Sequence, residues 1–287
     1  MTVEHYWAPG SLAEALEHLR GGDVTILAGG TDLMPQSRAG RVKLRNGLLN
    51  VRRVPELAGI EEVEGGIRIG ALATIGELMR HPLVRDRYPV LAEACDHFAS
   101  DQLRNAATLG GNVCNASPAG DTLVPLLVLD AEAELASKPN GRVDTRRVPL
   151  CDFFTGPGRT VRASAELLCA IFLPTPPDRF VARFFKFGTR PALDISAISI
   201  GIGGVRHGRT LTHPRVAYGA VAPVPLRARA TEQALDGALL DEPGIERIAS
   251  VARDEVRPID DVRASAWYRR ELVHNMTRRM LGDVAHA

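Results

Sequence analysis

Residues 108–121 have the sequence TLGGNVCNASPAGD, and the rest of the chain can be interpreted around them. The paired glycines lack side chains, so the backbone N–H groups beside them can approach a phosphate closely. Thr108, Asn112 and Asn115 add neutral hydrogen-bonding side chains to the same short segment. We therefore predict that this glycine loop is one half of a binding site for a phosphate-bearing ligand.

A second segment far upstream has the same character. Residues 24–33, VTILAGGTDL, predict a short buried strand that runs into paired glycines followed by Thr31 and Asp32. A dinucleotide-binding Rossmann unit would instead place its glycines at the start of a helix, in a G-x-G-x-x-G pattern. Here the glycines are adjacent and Pro35 follows closely, so a long helix starting at once is not expected. We predict that the two glycine segments jointly hold a diphosphate-bearing cofactor.

Length and composition favour an ordinary globular protein. The chain has 287 residues, which is enough for two or three units with substantial cores. Its 45% hydrophobic and 24% charged residues exclude a disordered or collagen-like chain, and no apolar run approaches the roughly 20 residues that span a bilayer. The formal net charge is +1, so nothing in the overall charge indicates nucleic-acid binding.

The cysteines are informative about compartment and metals. Cys95, Cys114, Cys151 and Cys169 are widely spaced, without a C-x-x-C pair, and no secretory signal is evident at the N-terminus. We expect a reduced, cytoplasmic protein with neither an iron–sulfur cluster nor a structural zinc in this chain, because such sites usually place two ligands on one local turn. Cys114 is expected to be a small buried filler rather than a redox thiol.

Apolar periodicity and capping residues predict alternating helices and strands up to residue 173. Helices are predicted over 12–19, 75–79, 90–98 and 123–129, and strands over 24–27, 48–51, 60–63, 66–70, 131–136 and 167–173. The polar residues 137–147 are expected to form an exposed connection. Either Asp121 or Thr122 could cap the helix over 123–129, so capping and ligand binding both remain possible for Asp121.

A proline-rich boundary at residues 174–177, PTPP, separates this part from a different pattern. Strands are predicted over 181–187, 195–205 and 216–221, and helices over 228–235, 245–253 and the C-terminal end, where apolar residues recur at every fourth position from Tyr268 and Gly282 is expected to stop the helix. Gly201–Gly204 is not a nucleotide loop, because Arg206 stands where a third glycine is needed and another strand follows. This order predicts a small α+β domain with helices on one face of an antiparallel sheet.

Several of these motifs together resemble a known family. The residues that carry the resemblance are AGGTDL at 28–33, the segment 108–121, FFTGPG at 153–158 and Phe185-Lys186. They are similar to motifs of the FAD-binding medium subunit of molybdenum hydroxylases, the group that contains xanthine dehydrogenase and carbon monoxide dehydrogenase. The likeness extends over nearly the whole chain.

The resemblance implies a fold and a domain division. The expected class is α+β, with a two-part α/β FAD-binding domain of the vanillyl-alcohol-oxidase-like, PCMH type and a small α+β C-terminal domain. The division expected is 1–176, with parts at about 1–55 and 56–176, followed by 177–287. FAD is expected to lie extended between the domains without a covalent link.

The resemblance also implies which residues bind FAD. The first segment would line the pyrophosphate with Ala28, Gly29, Gly30, Thr31 and Asp32, and Leu27 and Leu33 flank it as further cofactor-binding positions. The second would add Thr108, Gly111, Asn112 and Asn115. Asp121 would hold ribityl or ribose hydroxyls, and Leu168 and Lys186 would lie by the isoalloxazine ring, where a lysine can stabilise negative charge on reduced flavin. Without the family, Lys186 would be interpreted as a solvated residue of a strand.

The family implies partners as well. No catalytic or metal-binding residues are expected in this chain. It would pass electrons from [2Fe–2S] clusters of a small subunit through FAD to NAD⁺, oxygen or another acceptor, while a molybdopterin-containing large subunit oxidises the substrate. A dimer of heterotrimers is expected, without a nucleic-acid or membrane partner. The alternative is a non-catalytic interaction subunit that keeps the fold and has lost flavin.

Overall fold

The structure is a computed structural model of the chain, and it describes residues 3–190 and 193–286. Its N-terminal unit contains β1 (His5–Trp7), α1 (Leu12–Leu19), β2 (Val24–Leu27), α2 (Leu33–Arg38) and β3 (Gly47–Asn50). The strands pair in parallel in the order β1-β3-β2. Ser11 caps α1 by accepting the Glu14 N–H at 3.3 Å, and the helix buries Ala15, Leu16 and Leu19 against this sheet. The predicted first helix and the strand over 24–27 are confirmed.

The middle unit is built on an antiparallel sheet with helices on one side. Its elements are β4 (Ile60–Val63), β5 (Gly66–Gly70), α3 (Ile75–Arg80), α4 (Pro82–Arg87), α5 (Pro89–Asp96), α6 (Asp101–Arg104), α7 (Leu109–Asn115), α8 (Leu123–Val128), β6 (Glu132–Ser137), β7 (Asp144–Pro149), β8 (Phe154–Gly156), β9 (Arg159–Thr160) and β10 (Leu167–Pro174). The sheet order is β4-β5-β10-β6-β7. The predicted 60–70 hairpin is confirmed, whereas α4 and α6 were not predicted.

The C-terminal unit follows the connection at 175–179. It comprises β11 (Phe180–Phe187), β12 (Ile198–His207), β13 (Thr210–Gly219), β14 (Leu226–Arg227), α9 (Arg229–Leu235), α10 (Glu242–Glu255) and α11 (Ala266–His286). The strands form an antiparallel sheet in chain order, and α9, α10 and α11 share a core with it. The predicted small α+β unit is therefore confirmed, although residues 216–219 of the strand predicted over 216–221 are the end of the longer β13 and residues 220–221 lie outside it.

Two local predictions outside the glycine segments were wrong. Residues 144–147, expected in an exposed connection, belong to β7, which pairs with β6 from Ser137↔Asp144 to Glu132↔Pro149. This strand lies at the sheet edge, where charged side chains stay in solvent, so it has no apolar alternation. Gly282 does not stop α11, since the buried residues Leu281, Val284 and Ala285 on either side keep the helix packed.

Helix α8 connects the middle and C-terminal units. Every residue from Leu123 to Val128 is buried, and the helix packs on the C-terminal sheet where that sheet carries glycines. A Cβ atom at Gly201 would lie 2.8 Å from Val128 Cγ2 and 2.9 Å from Val124 Cγ1. The glycines of segment 201–204 therefore serve close packing in a strand, in agreement with the rejection of a nucleotide loop there.

Charged groups fix the end of α8 to the same sheet. The Asp130 carboxylate pairs with Arg215 at 2.7 Å and with Arg227, and Arg227 also donates to the Leu127 carbonyl at 2.9 Å. The core of the middle unit includes Phe184 and Ala217 from the C-terminal sheet. The two units therefore share one continuous interior. No helix among the described residues is long and apolar enough to cross a membrane.

Candidate FAD-binding site

A cleft of about 910 Å³ opens between the three units. Its volume lies near the upper end of the roughly 300–1,000 Å³ that is usual for ligand pockets. Both glycine segments line it, together with Leu167 and Leu168 at the start of β10 and Ile195 before β12. Residues that are far apart in the sequence thus converge on one elongated space.

The first glycine segment is fixed by close backbone packing. Gly29 lies against residues 106–107, since a Cβ atom at Gly29 would be only 2.0 Å from the Ala106 carbonyl oxygen. Gly30 adopts φ +72°, a left-handed conformation that favours glycine. The missing side chains therefore bring the end of β2 directly beside the chain that leads into the second segment.

This packing leaves a row of backbone donors without protein partners. Within the part of the chain that the structure describes, the N–H groups of residues 29–33 donate to no protein acceptor, whereas the Met34 N–H begins the helical pattern by donating to the Gly30 carbonyl at 3.1 Å. Such successive N–H groups form an anion-binding concavity. The donor set therefore suits an oxyanion such as a phosphate group.

The second glycine segment is a helix start, which corrects the prediction of a loop. Thr108 caps α7 by accepting the Gly111 N–H at 3.0 Å, and the Gly110 N–H donates to the Ala71 carbonyl at 2.9 Å. A Cβ atom at Gly110 would lie 2.6 Å from the Ala71 Cβ. Gly110 thus permits close packing of α7 against Ala71. Capping by Thr108 offsets the low helix propensity of Gly110 and Gly111.

Gly111 has a different role from its neighbour. It is exposed and lines the cleft, and a Cβ atom there would meet, among the described residues, Thr108 Oγ1 at 2.8 Å and nothing else within 4 Å. A side chain at this position would project into the cleft. The absence of one keeps the N-terminus of α7 accessible to a ligand.

Asn112 is oriented by a buried threonine. Thr122 is fully buried and donates its hydroxyl to Asn112 Oδ1 at 2.6 Å. The amide nitrogen of Asn112 then has no acceptor among residues 3–190 and 193–286, and the residue lines the cleft. Thr122 therefore positions a donor and makes no side-chain cap on α8.

Asp121 forms a nearly buried cluster with the C-terminal unit. Its Oδ2 accepts from Lys186 Nζ at 2.7 Å and its Oδ1 from Ser196 Oγ at 3.0 Å, while Lys186 also donates to the His97 carbonyl at 3.0 Å. Burial raises the pKa of the Asp121 carboxyl, although Lys186 and Ser196 act in the opposite direction. Among the described contacts, Asp121 does not cap α8; it lines the cleft and binds Lys186 and Ser196.

Most of the predicted site residues meet in this cleft. Those that line it are Ala28, Gly29, Gly30, Thr31, Asp32, Leu33, Thr108, Gly111, Asn112, Asn115, Asp121 and Leu168. Leu27 lies behind Gly30, and Lys186 reaches the cleft through its ion pair with Asp121. The two segments and the β10 position are therefore brought together as expected, and Lys186 lies one layer farther back.

Sequence reasoning missed several lining residues. They are basic or apolar residues of irregular segments, including Lys43, Arg45, Phe98, Arg162, Leu193 and Ile195. Such segments carry no periodic pattern, so no sequence signal marked these positions. The basic residues among them add positive charge to the lining of the cleft.

The cysteines do not point to redox or metal chemistry of their own. Cys114 lines the cleft, and burial raises the pKa of its thiol to about 11, which keeps it protonated and fits a packing role. Cys95, Cys151 and Cys169 are also free. Within the described residues no group of His, Cys, Asp or Glu side chains could hold a metal ion.

Comparisons with known proteins agree over nearly the full chain. The family model described as the FAD binding domain in molybdopterin dehydrogenase matches residues 1–176, and that of the CO dehydrogenase flavoprotein C-terminal domain matches residues 183–284. A putative xanthine dehydrogenase FAD-binding subunit of Escherichia coli is 33% identical over 285 residues, covering 98% of this chain and 96% of its own. The carbon monoxide dehydrogenase medium chain of Hydrogenophaga pseudoflava is 32% identical over 279 residues, with 96% and 95% covered.

Solved structures give the same result. A chain of carbon monoxide dehydrogenase from Hydrogenophaga pseudoflava superposes with a TM-score of 0.91 at 30% identity, covering 97% of this chain and 96% of that one. A chain of quinoline 2-oxidoreductase from Pseudomonas putida 86 also gives 0.91, at 27% identity and with 100% and 98% covered. The similarity includes both matched regions and their arrangement.

Proposed function

The chain belongs to the family of FAD-binding medium subunits of molybdenum hydroxylases, oxidoreductase subunits with FAD as their cofactor, and we propose that it transfers electrons from a partner subunit through FAD to an external acceptor. The observation that carries the cofactor site is the row of unpaired N–H groups at residues 29–33, in the same cleft as the exposed Gly111. A diphosphate is the part of FAD that suits these donors.

Individual residues have distinct proposed roles. The first segment, with Leu27 behind it and Leu33 at its end, binds the diphosphate together with Thr108, Gly111, Asn112 and Asn115. Asp121 accepts hydroxyl groups of the cofactor, since each carboxylate oxygen can accept a second hydrogen bond beside those from Lys186 and Ser196. Leu168 contacts the ring system. Lys186 acts through Asp121, because its ammonium group is held there and at the His97 carbonyl.

When bound, FAD supplies the redox chemistry, and the chain holds and orients it. The buried Leu168 and the partly buried Phe98 in its wall exclude water from part of the cleft. We further propose that the electrons come from [2Fe–2S] clusters of a small subunit, and that a molybdopterin-containing large subunit oxidises the substrate. This is supported by relatives named as FAD-binding subunits and medium chains.

The proposal extends to the oligomeric assembly, the compartment, the electron acceptor and the domain boundary. We expect a dimer of heterotrimers in the cytoplasm, with NAD⁺, oxygen or another compound as acceptor. We also propose that domains 1–176 and 177–287 divide at the proline-rich connection, where β10 ends and β11 begins. A steady-state assay of the copurified complex with NAD⁺, oxygen and an artificial dye would identify the acceptor.

The test of the cofactor site is flavin retention. Purified protein supplied with FAD should become yellow and bleach on reduction. Gly111→Val should lose flavin while far-ultraviolet circular dichroism stays unchanged, because the new side chain enters the cleft. Gly21→Val is the matched control, since a Cβ atom at that exposed glycine outside the cleft meets nothing within 4 Å.

The rival function is an interaction subunit of the same fold that has lost flavin. It predicts that the wild-type chain binds no FAD and that Gly111→Val leaves the activity of the complex unchanged. The unpaired donors at residues 29–33 argue against it, because a purely structural role gives no reason to leave them without acceptors.

A further inference from the structure

We propose that Arg162 is a specificity-determining residue of the cofactor site and supplies the positive counter-charge for the diphosphate of FAD. The inference rests on the proposed function, in which residues 29–33 and Gly111 bind that diphosphate. Arg162 lies in the connection between β9 and β10 and lines the same cleft. Neither glycine segment contains a basic residue, so the charge has to come from elsewhere.

The guanidinium group of Arg162 is oriented by two carbonyl groups. Its Nη1 donates to the Glu166 carbonyl at 2.6 Å and to the Ala163 carbonyl at 2.9 Å. These neutral acceptors fix the side chain against its own turn without cancelling its charge. The remaining donors of the guanidinium have no acceptor in the part of the chain that the structure describes.

The nearest carboxylate is already occupied. Both oxygens of Glu166 accept from Arg146, at 2.6 and 2.9 Å, and its Oε2 also accepts the Ala163 N–H at 2.7 Å. The hydrogen bond with Arg146 is the largest cause that lowers the pKa of Glu166, and the charge of Arg162 lowers it as well, so this ionised carboxylate attracts Arg162 while its oxygens are bonded to Arg146. Arg162 therefore has no ion pair among residues 3–190 and 193–286.

The other charges of the cleft do not compensate Arg162. Asp121 is paired with Lys186, Asp194 accepts from Thr189 and neighbouring backbone N–H groups, and Asp32 accepts from Gln36. Lys43 and Arg45 are exposed, so water screens them, whereas Arg162 is half-buried. The Glu166 carboxylate attracts Arg162 but is hydrogen-bonded to Arg146, so this partly desolvated cation favours an anionic ligand at this place.

The charge of Arg162 also acts on α7. Its proximity lowers the pKa of the Cys114 thiol against the larger opposite effect of burial. Cys114 lies next to Asn115, one of the proposed cofactor contacts, and both line the cleft. Arg162 therefore lies near α7, whose first turn contains Gly111, and its charge acts on a diphosphate bound there.

The experiment titrates the purified apo chain with FAD by flavin fluorescence, at several salt concentrations. Arg162→Gln should weaken FAD binding about ten- to hundredfold, the size of one hydrogen bond to a charged group, and should flatten the salt dependence of the dissociation constant. Arg162→Lys should recover part of the affinity, because it keeps the charge. Arg159→Gln is the matched control, since it removes the same charge from an exposed neighbour that does not line the cleft.

The outcomes separate this inference from the proposed function. If the wild-type chain binds FAD and Arg162→Gln binds it with the same affinity and the same salt dependence, Arg162 is not the counter-charge. Equal losses in Arg162→Gln and Arg159→Gln would overturn the inference too, because they would show a general charge effect. A wild-type chain that binds no FAD would instead refute the proposed function. Circular dichroism of each variant confirms that the fold is retained.

Discussion

At the residue scale, the cleft can form because certain glycines lack a Cβ atom. Gly29 and Gly110 pack so closely on backbone and Cβ atoms that neither could carry a side chain without moving its neighbour. Gly111 differs, because its open side faces the ligand. The sequence indicated all three as glycines of a binding loop, but it could not distinguish packing from ligand approach. That distinction depends on what lies opposite each glycine, which only the tertiary structure reveals.

The ion pair between Asp121 and Lys186 leads to a prediction about stability. The two side chains are 12% and 9% exposed, so Lys186→Met would leave a nearly buried carboxylate without its cation. We expect a loss of about 3 kcal/mol in the free energy of unfolding, measured by urea titration. The double variant Asp121→Asn with Lys186→Met should lose less than the sum of the single changes. Additive losses would contradict the pairing.

At the element scale, helix boundaries and strand edges were the least predictable features. Helix α7 was expected to be a loop because two glycines and two asparagines have low helix propensity, yet Thr108 caps it and Leu109 and Val113 bury its inner face. Strand β7 escaped prediction because an edge strand in solvent has no apolar alternation. In contrast, the 60–70 hairpin and the strand over 24–27 were predictable, since their apolar residues sit on a fixed buried face.

Helix α11 allows a stabilising substitution. Gly282 lies inside this helix, and a Cβ atom there would meet nothing within 4 Å. Gly282→Ala should raise the free energy of unfolding by about 0.5–1 kcal/mol, because alanine has the higher helix propensity and restricts the unfolded chain. Thermal unfolding monitored by circular dichroism measures the change. A lower midpoint would show that the helix needs glycine at this position.

The connection before α11 predicts a response to acid. Although burial acts to raise it, hydrogen bonding with Arg269 and nearby backbone N–H groups lowers the pKa of Asp261 to about 2. Because the folded pKa lies below the unfolded value of about 3.9, the stabilisation is present above that value and is lost as pH falls from about 4 to 2. Unfolding measured across this range should show the loss.

Asp261→Asn provides the control for that titration. It should be less stable than wild type near neutral pH, and the difference between the two proteins should shrink towards pH 2. A difference that stays constant over the whole range would mean that the Asp261 carboxylate contributes nothing through its charge.

At the scale of the whole molecule, family, fold class and cofactor were implied by the family resemblance, which rests on the two glycine segments, residues 153–158 and Phe185-Lys186. The comparisons confirm all three. The positive lining of the cleft did not follow, because Lys43, Arg45 and Arg162 lie in irregular segments whose positions depend on the assembled units. Lys186 was expected beside the cofactor from the family resemblance, but its ion pair with Asp121 was not predicted, because it joins residues from two units of the folded chain.

Helix α8 holds the middle and C-terminal units together, so the proline-rich connection at residues 174–177 is not needed to keep them in contact. Its apolar surface is covered on one side by the middle unit and on the other by the C-terminal sheet, and Arg215 and Arg227 fasten its end. A protease recognition sequence inserted between Pro177 and Asp178, in the exposed connection, should therefore allow cleavage without separating the products. The two fragments should elute together in gel filtration and keep their flavin. This result would mean that the covalent link helps the units to assemble but is not needed to hold the folded units together.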